Sequence, residues 1–162
     1  MTRYDQLEAF SRDFLKTHYD REGRTGEGAK GMIDISFEGF LKTVHHLHIS
    51  RARGVKFNLN GHWDTQVPRP MLNYKYDCVA KIEDAPDSIQ HFCTLAGLEF
   101  SSEKRNSSNY ATSSDTYLGK VPAYTFGSRD IHSKSFLNQA NRRLINKIFD
   151  VDFETFGYLP EN

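Results

Sequence analysis

The segment Asn60-Gly61-His62-Trp63-Asp64-Thr65-Gln66 gathers side chains that can do chemistry. An imidazole takes up and releases a proton near neutral pH, which suits general acid–base work. The only tryptophan of the chain stands next to it, and an indole offers a flat apolar face that suits a sugar ring. The same pattern also fits a plain loop whose tryptophan plugs a core and whose histidine sits on the surface. Spacing alone leaves both readings open.

His45, His46 and His48 cluster twelve or more residues upstream. His45 and His48 share a helical face and could ligate a metal. Adjacent histidines point apart, however, and no carboxylate spacing supplies a third ligand, so no metal is expected. From Gly39 to Trp63 there is no acidic residue, while Lys42, Arg51, Arg53 and Lys56 fall in that stretch. A second acid-free stretch, Ile131 to Phe149, holds Lys134, Arg142, Arg143 and Lys147. Either could face sulfate, phosphate or an acidic polymer, or be a solvated helix face. Glu103-Lys104-Arg105-Asn106-Ser107-Ser108 offers cations, hydroxyls and an amide. That is the chemistry of an anion cradle, and also of a surface loop. The glycine-rich stretch from Gly26 lacks the spacing of a phosphate-binding loop.

Composition removes several classes. The 162 residues carry 21 Lys plus Arg against 21 Asp plus Glu, so the chain has no cation surplus with which to grip nucleic acid. Hydrophobic residues make up 38% and aromatic ones 13%, enough to expect a packed core. No run approaches the ~20 apolar residues of a membrane helix, and the first residues do not read as a signal peptide. Cys78 and Cys93 form no CxxC pair, against a zinc site or a disulfide scaffold. A cytoplasmic location is expected.

The elements that must position these residues follow from periodicity. Tyr4, Leu7, Phe10, Phe14 and Leu15 predict a helix over Arg3–Tyr19. Ser36 is a good N-cap for a second, with Phe37, Phe40, Leu41, Val44 and Leu47 as its apolar stripe. Tyr74–Ile82 is the best strand candidate. Its nearly continuous apolar end suits a strand buried on both faces of a parallel sheet. Asp84 and Pro86 open a third helix that Gly97 closes. A long polar segment runs from Glu99 to Lys134, and a last helix spans Ser135–Asp150 before an aromatic tail. One strand cannot make a sheet, so the others either hide in loops or lie in absent sequence.

Four pieces in order resemble the Golgi-type carbohydrate sulfotransferases, the family of chondroitin and dermatan 4-O-sulfotransferases (sulfotransferase family 2) and bacterial relatives. His62-Trp63-Asp64-Thr65-Gln66 is similar to their HWxxQ segment. Tyr76-Asp77-Cys78-Val79-Ala80-Lys81-Ile82-Glu83 resembles their YDFVGKxE strand, with Cys for Phe and Ala for Gly. Ile148-Phe149-Asp150-Val151-Asp152-Phe153-Glu154-Thr155-Phe156-Gly157-Tyr158 resembles their closing Y-x-x-DFExFGY. Ser36-Phe37-Glu38-Gly39-Phe40-Leu41 is similar to the helix preceding HW. Together they cover most of residues 35–158.

The resemblance implies an α/β, P-loop-like fold, a parallel sheet flanked by helices. It implies transfer of a sulfuryl group from 3′-phosphoadenylyl sulfate to a carbohydrate hydroxyl, with no metal. The family's 5′-phosphosulfate loop and its 3′-phosphate segment are not found here. Residues 1–162 are therefore expected to form a single partial domain, the C-terminal half of such an enzyme. The alternative is a non-catalytic remnant with at most glycan binding. In either case the expected partner is a carbohydrate acceptor, and an open sheet edge would favour self-association. Animal relatives are Golgi-anchored and bacterial ones are not. On this resemblance His62 is the catalytic candidate, as base or hydroxyl ligand. Trp63, Gln66, Arg51, Arg53 and Arg69 would meet the acceptor. Lys104, Arg105, Asn106 and Ser107 would close over the nucleotide.

Overall fold

A hydroxyl followed by an apolar stripe sets the longest helix. In the computed structural model, which describes residues 13–23, 34–56, 59–67, 71–101, 116–126 and 131–159, the Ser36 side chain accepts the Gly39 N–H and caps α2, Phe37–Ala52. An earlier helix, α1, is described over residues 13–21. Later come α3 (Asp87–Ala96), α4 (Gln139–Ile148) and α5 (Asp150–Phe156). The expected second helix is thus α2, and α1 runs past the expected Tyr19.

The chain divides into two compact units, Met1–Val67 with Tyr110–Asn162, and Pro68–Asn109. In the first unit the stripe of α2 meets α4. Leu41, Val44 and Leu47 are buried together with Phe14 of α1, Ile35 and Ile148. Phe37, Phe40, Leu144, Ile145 and Phe149 pack against them. Beneath this core lies a buried polar cluster. The Thr43 hydroxyl gives its one hydrogen to the Gly39 carbonyl at 2.9 Å. His18 Nδ1, 3.0 Å away, must therefore be the donor to Thr43. Across the core, the Tyr117 hydroxyl donates to Glu38 Oε1 at 2.6 Å and accepts from Asn141 Nδ2 at 2.8 Å. Burial and the bond to Glu38 push this phenol up to about 12, so Tyr117 is a fixed structural donor.

The expected last helix is interrupted. Asn138 caps α4 with its side chain on the Asn141 N–H. Phe149 then leaves helical geometry, and the expected aromatic tail forms α5 instead. Asp150 and Asp152 stand in the first turn of α5, where the helix dipole favours negative charge. Gly157, at φ 65°, ends it in the left-handed conformation.

The expected sheet is not formed among the described residues. Among the described residues there is no strand, only an isolated bridge between Ser36 and Pro122. In the second unit, residues 74–81 carry no regular secondary structure. Their side chains are not buried on two faces either: Tyr74 is 56% and Val79 42% exposed, and Ile82, in the turn that follows, is 79% exposed. The physical reason is the absence of a partner. An extended segment becomes a strand only when a neighbouring extended segment pairs with it; the backbone bonds seen here are local instead, from the Tyr74 N–H to the Met71 carbonyl and from the Asp84 N–H and Ser88 hydroxyl to the Lys81 carbonyl. The α/β fold with a parallel sheet is therefore replaced by a helical arrangement. The helix that follows does form. It starts at Asp87 rather than Asp84, which lies in a short 3₁₀ turn, and Gly97 closes it at φ 67°.

Candidate functional site

The loop after α2 is held from three directions. Arg51, in the last turn of α2, reaches Asp64 with two parallel bonds: Nη1 to Oδ2 at 2.7 Å and Nη2 to Oδ1 at 2.6 Å. This fork-to-carboxylate geometry is the strongest form of side-chain ion pair. Burial by itself pushes the Asp64 carboxyl up. The hydrogen bonds and charge of Arg51 outweigh that and hold it below the ordinary carboxylate value. One turn earlier on α2, His48 Nε2 lies 3.4 Å from the Trp63 carbonyl, which can only accept. Its ring stands edge-on to Phe149.

The third anchor comes from α5. Asp152 Oδ2 accepts the Gln66 N–H and Oδ1 accepts the Val67 N–H, both at 2.9 Å. One carboxylate thus clamps two successive amides from 85 residues away, and Val67 is fully buried beneath it. Inside the loop, Asn60 makes the turn. Its side chain accepts the His62 N–H at 2.9 Å, and its carbonyl accepts from Trp63 and Asp64. The Gln66 amide crosses back to the Gly61 and Asp64 carbonyls at 3.3 and 3.2 Å.

The loop is thereby rigid at its ends, and its tip projects His62. The imidazole is exposed. The Trp63 ring points the other way, into the core, where it meets Phe14 at 6.0 Å and Phe40 at 6.2 Å, both edge-on. An exposed histidine on a braced turn can exchange a proton with a neighbouring group.

Compared with known families, the chain matches the profile of the sulfotransferase family over residues 3–159. The chain belongs to the sulfotransferase family. No curated protein and no solved structure matches it.

For this sulfotransferase-family chain, the structure redistributes the residues singled out from sequence. His62, Trp63 and Gln66 lie on one braced loop as their spacing suggested, but Trp63 faces the core and Gln66 clips the loop. Arg51 is spent on Asp64. Arg53 is exposed at the C-terminus of α2. Arg69, Lys104, Arg105, Asn106 and Ser107 lie outside the described residues. The three clustered histidines do not converge: His46 is exposed, His48 faces Trp63, and His45 lies within the field of Lys147. Among the described residues no group of three or more His, Cys, Asp or Glu is arranged to hold a metal ion. No described helix is long and apolar enough to cross a membrane. Asp152 was not singled out from sequence. The available signal was its place in the closing motif.

His45 and His48 give this region a pH signature. Burial lowers the pKa of both. For His45 the charges of Lys147, His48, Arg21 and His46 add to it. For His48 the Trp63 carbonyl, Asp64 and Asp152 oppose it and Arg51 supports it. The folded chain thus binds protons less readily than the unfolded chain, whose histidines keep the ordinary value of 6.5. Their stabilising contribution is full above 6.5 and is lost as pH falls from there through the lowered folded values. Asp64 adds a second loss further down, below its ordinary 3.8. Thermal melts at stepped pH are expected to show a first decline just below 6.5. A flat melting temperature between pH 7 and pH 5 would contradict the assignment.

Proposed function

We propose that this chain serves the transfer of a sulfuryl group from 3′-phosphoadenylyl sulfate to a carbohydrate hydroxyl, and that His62 is the acceptor-side base. The reading is supported by membership of the sulfotransferase family and, above all, by the exposed imidazole on a loop braced at Asp64, Gln66 and Val67. In this role His62 accepts the hydroxyl proton as the sugar oxygen bonds to sulfur and the bond from sulfur to the 5′-phosphate oxygen breaks, with 3′-phosphoadenosine 5′-phosphate as the leaving group. A preset orientation is what makes such a transfer efficient. Arg53, exposed near the loop's stem, suits an acidic acceptor.

The donor is a polyanion and needs cations or free amides around it. The described residues nearest His62 do not supply them. The Arg51 guanidinium faces Asp64, and the Gln66 and Val67 amides face Asp152. The phosphate-binding role is assigned to Lys104, Arg105, Asn106 and Ser107 on the resemblance alone. This occupancy also favours a second reading, in which the loop binds glycan without transferring sulfate.

One experiment separates the two. The purified chain is incubated with ³⁵S-labelled 3′-phosphoadenylyl sulfate and a panel of uronic-acid and hexosamine polymers, with calorimetric titration of 3′-phosphoadenosine 5′-phosphate alongside. Label on a polymer and measurable nucleotide binding are expected. Polymer binding with no label selects the second reading, and a folded sample that binds neither removes both.

A further inference from the structure

We infer that Asp152 is a positioning residue for His62, holding the loop 60–67 in register through the amides of Gln66 and Val67. The inference deepens the reading of His62 as acceptor-side base and rests on it for its kinetic arm. Three observations carry it. The carboxylate is only 8% exposed, and each of its oxygens accepts one N–H at 2.9 Å. The two amides are consecutive, so the clamp fixes both the position and the direction of the chain as it leaves the loop. The Gln66 side chain then bonds the Gly61 carbonyl, next to His62, so the constraint reaches the turn that carries the imidazole.

The geometry needs a carboxylate rather than a side chain of that size. Two facing N–H donors require two acceptors. In Asp152→Asn one acceptor becomes an NH₂ group that confronts an N–H, and a buried donor is stranded. In Asp152→Glu both acceptors remain on a chain one methylene longer. The two variants therefore differ in charge and acceptor count more than in volume.

The test has two arms. In the first, amide hydrogen exchange and the His62 imidazole resonance are followed by NMR without any substrate. Asp152→Asn is expected to speed exchange at Gln66 and Val67 by roughly tenfold or more, the effect of stranding one buried donor, and to shift the His62 signal. Exchange in α2 should be unchanged, and Asp152→Glu should restore much of the protection. In the second arm, sulfuryl transfer by Asp152→Asn is expected to lose kcat with little change in the acceptor KM. It should lose nothing further in a His62→Ala background, because the effect passes through His62. Unchanged exchange at the two amides, or an unmoved His62 signal, overturns the inference. So does a kcat loss that adds in full to that of His62→Ala. If the wild-type chain transfers no sulfate, the reading of His62 as a base falls, and the positioning claim is decided by the first arm alone.

Discussion

His62→Ala is expected to lower the turnover of sulfuryl transfer by about two to four orders of magnitude, the range over which a positioned proton acceptor acts. The loss should appear in kcat and in kcat/KM together, because the proton moves as the new O–S bond forms and not on binding. Stability should hardly change. The side chain is exposed, and the contact that shapes the turn is the backbone N–H of residue 62 on the Asn60 side chain, which alanine keeps. Surface changes of this kind stay within about 0.5 kcal/mol. The measurement is steady-state transfer at saturating donor with varied acceptor, with circular dichroism as the control for folding. A fall of less than about threefold would take the base role away from His62. Partial rescue by added imidazole would strengthen it.

The second large effect is on stability and concerns the neighbouring residue. Trp63→Ala is expected to destabilise the chain by about 3 kcal/mol, the low end for a buried tryptophan because the ring is only partly covered. Two edge-on aromatic contacts, to Phe14 of α1 and Phe40 of α2, go with it. Such pairs contribute about 0.5–1.5 kcal/mol each beyond area burial. Trp63→Phe should keep most of the stability, since a smaller ring can still meet one of the two partners. Urea titration followed by circular dichroism measures both variants without relying on the lost indole. The outcome discriminates between two roles. If the indole stacked on a sugar instead, Trp63→Ala would leave stability within about 0.5 kcal/mol and weaken only acceptor affinity.

These two neighbours show why the loop reads as a site at all. In this turn the His62 imidazole is exposed while the Trp63 ring packs against Phe14 and Phe40. Here one side is core and the other is solvent, so Trp63 anchors what His62 presents. The Arg51–Asp64 pair and the Asp152 clamp hold the stem on either side of that pivot.

Much of this was legible along the chain. Ser36 before a stripe at helical spacing marked α2, and Leu41, Val44 and Leu47 are the residues it buries. Phe14 and Leu15, named in the first apolar stripe, both pack in that core. Gly97 marked the end of α3. The order of the motifs pointed to the sulfotransferase family, to which the chain belongs. These are local properties. A cap bonds three residues on, a stripe repeats every three or four, and a glycine takes up its own left-handed angle.

What sequence could not settle was pairing. Tyr74–Ile82 has the composition of a buried strand, yet a strand exists only with a neighbour, and the described residues provide none. Arg51 looked available to an acidic ligand until the fold set Asp64 opposite it, and nothing in their spacing of 13 marks them as partners. Asp152 stood only as one residue of the closing motif until the fold set two amides from residues 66 and 67 against it. The sequence by itself determined where α2 begins and α3 ends, which face α2 buries and which loop carries the histidine. Tertiary structure alone decided which charges are spent inside the molecule and which remain for a ligand, because that depends on which faces meet once the helices pack.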